Sequence, residues 1–175
     1  VASPTLRDPS FDRSVVLLLD HDGHGALGVI LNRPAQVLVA SVLPGWEEAV
    51  CEPTVLFLGG PVSPDGALAL AVMVDQDSAP LGVRPVVAGM AMVDLDAPPE
   101  LVTPALRCMR VFAGYAGWAA RQLEAEVAED SWFLLDVAPD DAFTPDPDML
   151  WRTVLSRQRP PLAWVASFPA DPSTN

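Results

Sequence analysis

Arg13 and Arg33 flank an Asp22-Gly23 pair at similar distances along the chain. Asp-Gly between two apolar runs is a hairpin signal, and such runs occupy residues 15–19 and 26–31. An antiparallel ribbon turning there pairs positions that sum to about 45. That sets Arg13 and Ser14 beside Asn32 and Arg33 at the open end. Two guanidinium groups brought that close repel unless something negative lies between them. Within the chain the candidates are Asp8, Asp12, Glu124 and Glu126. From outside, the candidate is an anionic ligand, because arginine grips carboxylate and phosphate as a two-pronged fork.

Glycine-rich strand ends extend this candidate site. Gly59 and Gly60 close one apolar run, and Tyr115, Gly117 and Trp118 stand where a strand is expected to feed a helix, with Glu124 further on. Converging on one cleft, these residues would line an anion site. The competing reading makes the glycines backbone devices, pairs the arginines with Asp8 and Glu124, and buries Trp118 in the core.

Other patterns carry less. Gly23, Gly25 and Gly28 satisfy G-x-G-x-x-G, but they span a hairpin turn rather than a strand-to-helix turn, so no dinucleotide site is expected. Phosphate-loop, zinc-protease and nucleophile-elbow strings are absent, and no catalytic residue is assigned. Asp20, His21, Asp22 and His24 crowd one turn, where turn chemistry is the expected role and metal the minor one. No metal or cofactor is expected. Cys51 and Cys108 are read as separate, inert core thiols rather than a disulfide framework.

These side chains need a scaffold. Strands are expected near residues 55–58, 67–74, 85–93, 107–113 and 131–135, beside the first hairpin. Helical character is expected within 37–50 (broken at Pro44-Gly45) and at 98–106, 117–127 and 148–157, and a last strand or extended segment at 162–166. The opening Val1-Ala2-Ser3-Pro4 resembles the tail of a strand, which leaves room for residues upstream. Strands outnumbering helices, with hairpins and crossovers mixed, argue for an α/β or α+β domain on a mixed sheet.

The chain has 175 residues, half of them apolar, and a net charge of −13. All ten basic residues are arginine. That size supports one domain with a substantial core. Residues 121–150 hold nine carboxylates against the single Arg121 and are expected to form a solvated face. Without a basic stripe, direct nucleic-acid contact is not expected. No apolar run reaches the roughly 18 residues of a membrane span, and a cytoplasmic location is expected.

Several strings, taken in order, resemble the AlgH/YqgE family of bacterial proteins. They are Ser3-Pro4, Asp8-Pro9, Arg13-Ser14-Val15-Val16, Gly25-Ala26, Gly28, Asn32-Arg33-Pro34, Gly59-Gly60-Pro61-Val62, Gly114-Tyr115-Ala116-Gly117-Trp118 and Gln122-Leu123-Glu124 with Glu126. Trp132, Trp151 and Asp171-Pro172-Ser173 with Asn175 extend the series. The resemblance implies one domain over residues 1–175, built on a mixed, bifurcated β-sheet folded toward a pseudo-barrel with flanking helices. It implies no catalytic residues, and a label of transcriptional regulator that rests on genetics in some members.

The leading expectation is a non-enzymatic regulatory or binding protein acting through a protein partner or small ligand. The alternative is an enzyme or sensor for a small anionic molecule near Arg13 and Arg33. Direct DNA binding ranks last.

Overall fold

The computed structural model describes residues 1–75 and 79–169. The Asp171–Asn175 string lies outside the described residues. The first apolar run forms β1 (Val16–Asp22) and the second β2 (Gly25–Ile30), joined by Gly23-His24. The Asp22 carboxylate accepts from the His24 backbone N–H at 2.7 Å and closes the turn. Val16 faces Ile30 and Leu18 faces Gly28, while Asp20 faces Leu27, so Leu19 is an extra residue. The register therefore differs from the expected one, and at the open end it brings Ser14 rather than Arg13 level with Asn32.

The rest of the sheet follows as β3 (Pro34–Leu38), β4 (Val55–Leu58), β5 (Val62–Met73), β6 (Val83–Pro85) and β7 (Met90–Val93), then β8 (Leu106–Ala119) after the short α1 (Pro99–Val102). β8 is the spine. Along one edge it pairs antiparallel with β5, which pairs with β7, which pairs with β6. Along the other edge it first takes β4 in parallel (Phe57 opposite Phe112), then β2 antiparallel (Gly28 opposite Ala116). The sheet forks between these two partners, giving the mixed, curled, bifurcated sheet. The fork explains Gly59 and Gly60. A β-carbon on Gly59 would strike the Gly114 carbonyl, and one on Gly60 the Tyr115 backbone.

Both faces of the spine are covered. Leu70 and Phe112 face one buried cluster, while Ala69, Ala71, Met109 and Val111 face the other, the alternation a two-sided sheet requires. α2 (Gln122–Ala128), α3 (Leu150–Ser156) and α4 (Leu162–Val165) complete the chain. α3 buries Leu150, Trp151, Val154 and Leu155 on one stripe against the first cluster, which also holds Phe57, Phe112 and Leu31.

Several expected elements differ. Gly114 to Trp118 lie inside β8, and α2 begins only at Gln122, after Arg121 in a left-handed conformation (φ 63°). The expected strand at 85–93 is two short strands about a turn in which Met90 donates to the Val87 carbonyl. Residues 131–135 make only a bridge from Trp132 to Ala2. Residues 162–165 are helical rather than extended, because a short apolar run carries no decisive period. Residues 37–50 form two 3-10 turns, Val39–Ser41 and Glu47–Ala49.

The cysteines require a correction. Cys51 and Cys108 are joined as a disulfide, with Cα atoms 5.3 Å apart. A parallel bridge between Val50 and Met109 lays the segment carrying Cys51 along β8, and Cys51 N–H donates to the Met109 carbonyl at 3.0 Å. This pairing joins residues 57 positions apart, so no local spacing could announce it. Among the described residues, no helix is long and apolar enough to cross a membrane.

Candidate functional site: an arginine-lined cavity

The turn before β1 shapes the first wall. Phe11 and Asp12 N–H both donate to the Asp8 carbonyl, and the Asp8 carboxylate accepts from Ser10 N–H at 2.8 Å. Asp8 is thus engaged in its own turn. The chain then passes through Arg13 with φ 50°, a left-handed conformation uncommon outside glycine. Asn32 holds it there. Its side-chain oxygen accepts from Val15 N–H at 2.8 Å, and its amide donates to the Arg13 carbonyl at 2.9 Å. The side chain of Asn32 thereby extends the hairpin ladder beyond its last backbone pair.

α3 supplies the opposite wall. Its buried Trp151 anchors it, with the indole N–H donating to the Ala2 carbonyl at 2.8 Å. The Arg13 guanidinium lies 4.5 Å from the centre of the Trp151 ring, within cation–π range. Between these walls is a cavity of about 340 Å³, lined by Asp12, Arg13, Asn32, Arg33, Asp148, Trp151 and Arg152.

The partners of its three arginines decide its character. Arg13 donates to the carbonyls of Phe168, at 3.0 Å, and Pro169. Arg152 donates to the carbonyls of Ala166 at 2.6 Å and Phe168 at 3.3 Å. Arg33 donates to the carbonyls of Asn32, at 3.3 Å, and Asp12. All of these acceptors are neutral. The ion pairs among the described residues are His21 with Glu124 and Arg157 with Asp141, so none of the three guanidinium groups has a carboxylate partner among those residues. Partial burial and the Arg152 charge both push the Arg13 pKa down, and Asp12 opposes them. The arrangement can clasp an oxyanion by forked hydrogen bonds. Among the described residues its lining contains no histidine, cysteine or serine, and its carboxylates are Asp12 and Asp148.

Of the residues singled out in the sequence, Arg13, Asn32 and Arg33 share this cavity. Ser14 is adjacent in the chain but fully buried, and its hydroxyl has no hydrogen-bond partner. Gly59 and Gly60 sit in the sheet fork, while Tyr115 and Gly117 lie within β8. Trp118 packs with Phe11 and Trp132 at ring distances of 5.9 and 5.8 Å. Glu124 bonds His21 at 2.9 Å, where its own backbone N–H and then His21 pull its carboxyl pKa down. Glu126 accepts from the indoles of Trp118 and Trp132 at 3.0 and 2.8 Å. None of these lines the arginine cavity. Trp118 instead borders a second, mostly apolar cavity of about 310 Å³ with Leu17, Leu123 and Trp132. The hairpin-tip carboxylates and imidazoles gather no metal cage, since among the described residues no three potential ligands come together.

Arg152 and Asp148 were not singled out, and Trp151 only as part of the family resemblance, not of the site. Their one sequence signal is an acid and a base four residues apart in an expected helix, which does not say where that helix docks.

A family model described as AlgH-like (DUF179) matches residues 1–163. The chain belongs to the AlgH-like family. A UPF0301 protein of Streptomyces avermitilis is 54% identical over 178 residues, covering all of this chain and 92% of the relative. A UPF0301 protein of Mycobacterium tuberculosis is 42% identical, covering all of this chain and 88% of that one. Among solved structures, the crystal structure of protein DIP2367 from Corynebacterium diphtheriae superposes with a TM-score of 0.89 at 33% identity, over 96% of this chain and 89% of that one. The solution structure of the AlgH protein from Pseudomonas aeruginosa gives 0.70 at 25%, over 97% and 91%. The two solved structures share the fold of this AlgH-like chain.

Proposed function

We propose that this AlgH-like protein is a non-catalytic binding protein that captures a small oxyanion, phosphate or carboxylate, at Arg13, Arg33 and Arg152. The observation that carries this reading is that three guanidinium groups line one cavity and, among the described residues, bond only to backbone carbonyls. Structural arginines in an acidic protein have many carboxylates to choose from. Arg157 takes Asp141 in a two-pronged pair, and Arg110 is buried among three backbone carbonyls, whereas these three take no carboxylate among the described residues and line an open cavity. An oxyanion adds an opposite charge and a two-pronged acceptor geometry that a single carbonyl oxygen lacks, so it suits these guanidinium groups better than the carbonyls they now hold. Binding then serves as the signal or the delivery step, in keeping with a regulatory role through a ligand.

The test is titration calorimetry with inorganic phosphate, acetate and citrate against chloride at matched ionic strength. Phosphate or a carboxylate is expected to bind, and Arg33→Gln to weaken that binding at least tenfold while the melting temperature stays close to that of the parent. Equal heats in parent and Arg33→Gln protein would overturn the reading.

A further inference from the structure

One oxygen occupies the position between two of the cavity's arginines. The Phe168 carbonyl accepts from Arg13 at 3.0 Å and from Arg152 at 3.3 Å. The Pro169 carbonyl adds a second contact to Arg13, and the Ala166 carbonyl a second to Arg152. The segment after α4 therefore presents a row of backbone oxygens to the groups that would hold an anion. From this placement we infer that residues 167–169 form an autoinhibitory strap, a neutral stand-in that a multi-oxygen anion displaces from Arg13 and Arg152. The inference rests on the anion-binding reading above and deepens it.

The strap's other attachments are slight. α4 is anchored, because Leu162, Val165 and Ala166 pack against the main core. Among the described residues past that point, none belongs to that core cluster. Trp164 and Phe168 are 67% and 51% exposed. Within its own turn the strap is held by the Ser167 N–H and hydroxyl, which donate to the Trp164 carbonyl at 3.1 and 2.7 Å, and by Phe168 N–H to the Val165 carbonyl at 3.0 Å. Among the described residues, the other hydrogen bonds to it are those of the guanidinium groups, each to a neutral oxygen. An anion bridging Arg13 and Arg152 offers them charged oxygens in the same place, so the exchange favours the anion. Release is confined to the residues beyond Ala166 and leaves the core cluster intact. Arg33 touches no part of the strap, which separates anion capture from strap release.

The experiment uses the full chain. Hydrogen exchange at the Ser167 and Phe168 amides is followed with and without inorganic phosphate, with acetate in a parallel arm and chloride as control. Phosphate affinity is also measured for Pro169→Gly, which leaves the cavity-lining side chains in place. Glycine raises the entropy cost of holding the strap, a penalty of about 0.5–1 kcal/mol or roughly threefold. Phosphate is expected to speed exchange at both amides, and Pro169→Gly to bind it roughly threefold more tightly. Anion binding with exchange at 167–168 unchanged or slowed, or with Pro169→Gly no tighter than the parent, overturns the strap and leaves the anion site standing. Failure of both parent and Pro169→Gly to bind any anion overturns the site itself, and the strap with it. Binding by Pro169→Gly alone supports the strap.

Discussion

The side-chain amide of Asn32 donates to the carbonyl oxygen of Arg13 at 2.9 Å. That bond fixes a residue whose φ is 50° and so fixes the direction in which its guanidinium leaves the chain. Asn32 is buried and also satisfies Val15 N–H. Asn32→Ala strands a donor and an acceptor, at a cost of about 1–3 kcal/mol each. The expected outcome is a loss of about 2–6 kcal/mol in denaturant unfolding, together with weakened anion binding, although Asn32 carries no charge. An Asn32→Ala protein that binds phosphate as the parent does would detach the hairpin end from the site.

Arg13→Gly separates function from strain. Glycine accepts the left-handed conformation without the penalty of roughly 1 kcal/mol that a β-carbon carries there. The variant is expected to unfold at equal or higher denaturant than Arg13→Ala, while both lose anion binding alike. Urea melts of the pair, read beside calorimetry, make the comparison.

The disulfide supplies an independent handle. Closing a loop across 57 residues restricts the unfolded chain by about 4 kcal/mol on a chain-entropy model. It also ties the Glu52 segment near Arg110, a buried arginine that donates to the carbonyls of Glu52, Ala142 and Thr144. Burial lowers Arg110 to about 10, so it stays charged at neutral pH. Cys51→Ser with Cys108→Ser is expected to lower the melting temperature strongly, and reductant to do the same to the parent but nothing further to the double variant. Mass spectrometry of the non-reduced protein, two hydrogen atoms lighter than the reduced form, checks the bond itself.

What sequence reasoning could reach was set by how local each contact is. The Asp22-Gly23 turn determines its own hairpin, so the nearness of Arg13, Asn32 and Arg33 was legible despite the extra residue at Leu19. Arg152 reaches the same cavity only because α3 docks through Trp151 onto Ala2, a contact between opposite ends of the chain. Gly114 to Trp118 suggested a helix start because Trp118, Leu123 and Val127 share helical spacing. Pairing with β2 through Ala119 wins that segment for the sheet. The forked sheet was legible through family resemblance rather than through periodicity, since no run of residues encodes which strands leave the same edge of β8.

Glu124 offers a pH test away from the cavity. Its carboxyl is held below the usual value of 4.5, first by its own backbone N–H and then by His21. A depressed acid stabilises the folded state above its unfolded pKa, and that contribution fades as the pH falls through the lowered folded value. Glu124→Gln is therefore expected to melt slightly below the parent at pH 6, with the gap closing as the pH falls below 4.5 and the carboxyl protonates. The pair is about half exposed, with side-chain exposures of 47% and 53%, so the gap is small and shrinks with added salt. Melting curves for both proteins across that range, at low and high salt, carry the test. A gap that widens in acid would mean that the charged carboxylate does not support this fold, and that the hairpin tip is held to α2 by something other than His21 and Glu124.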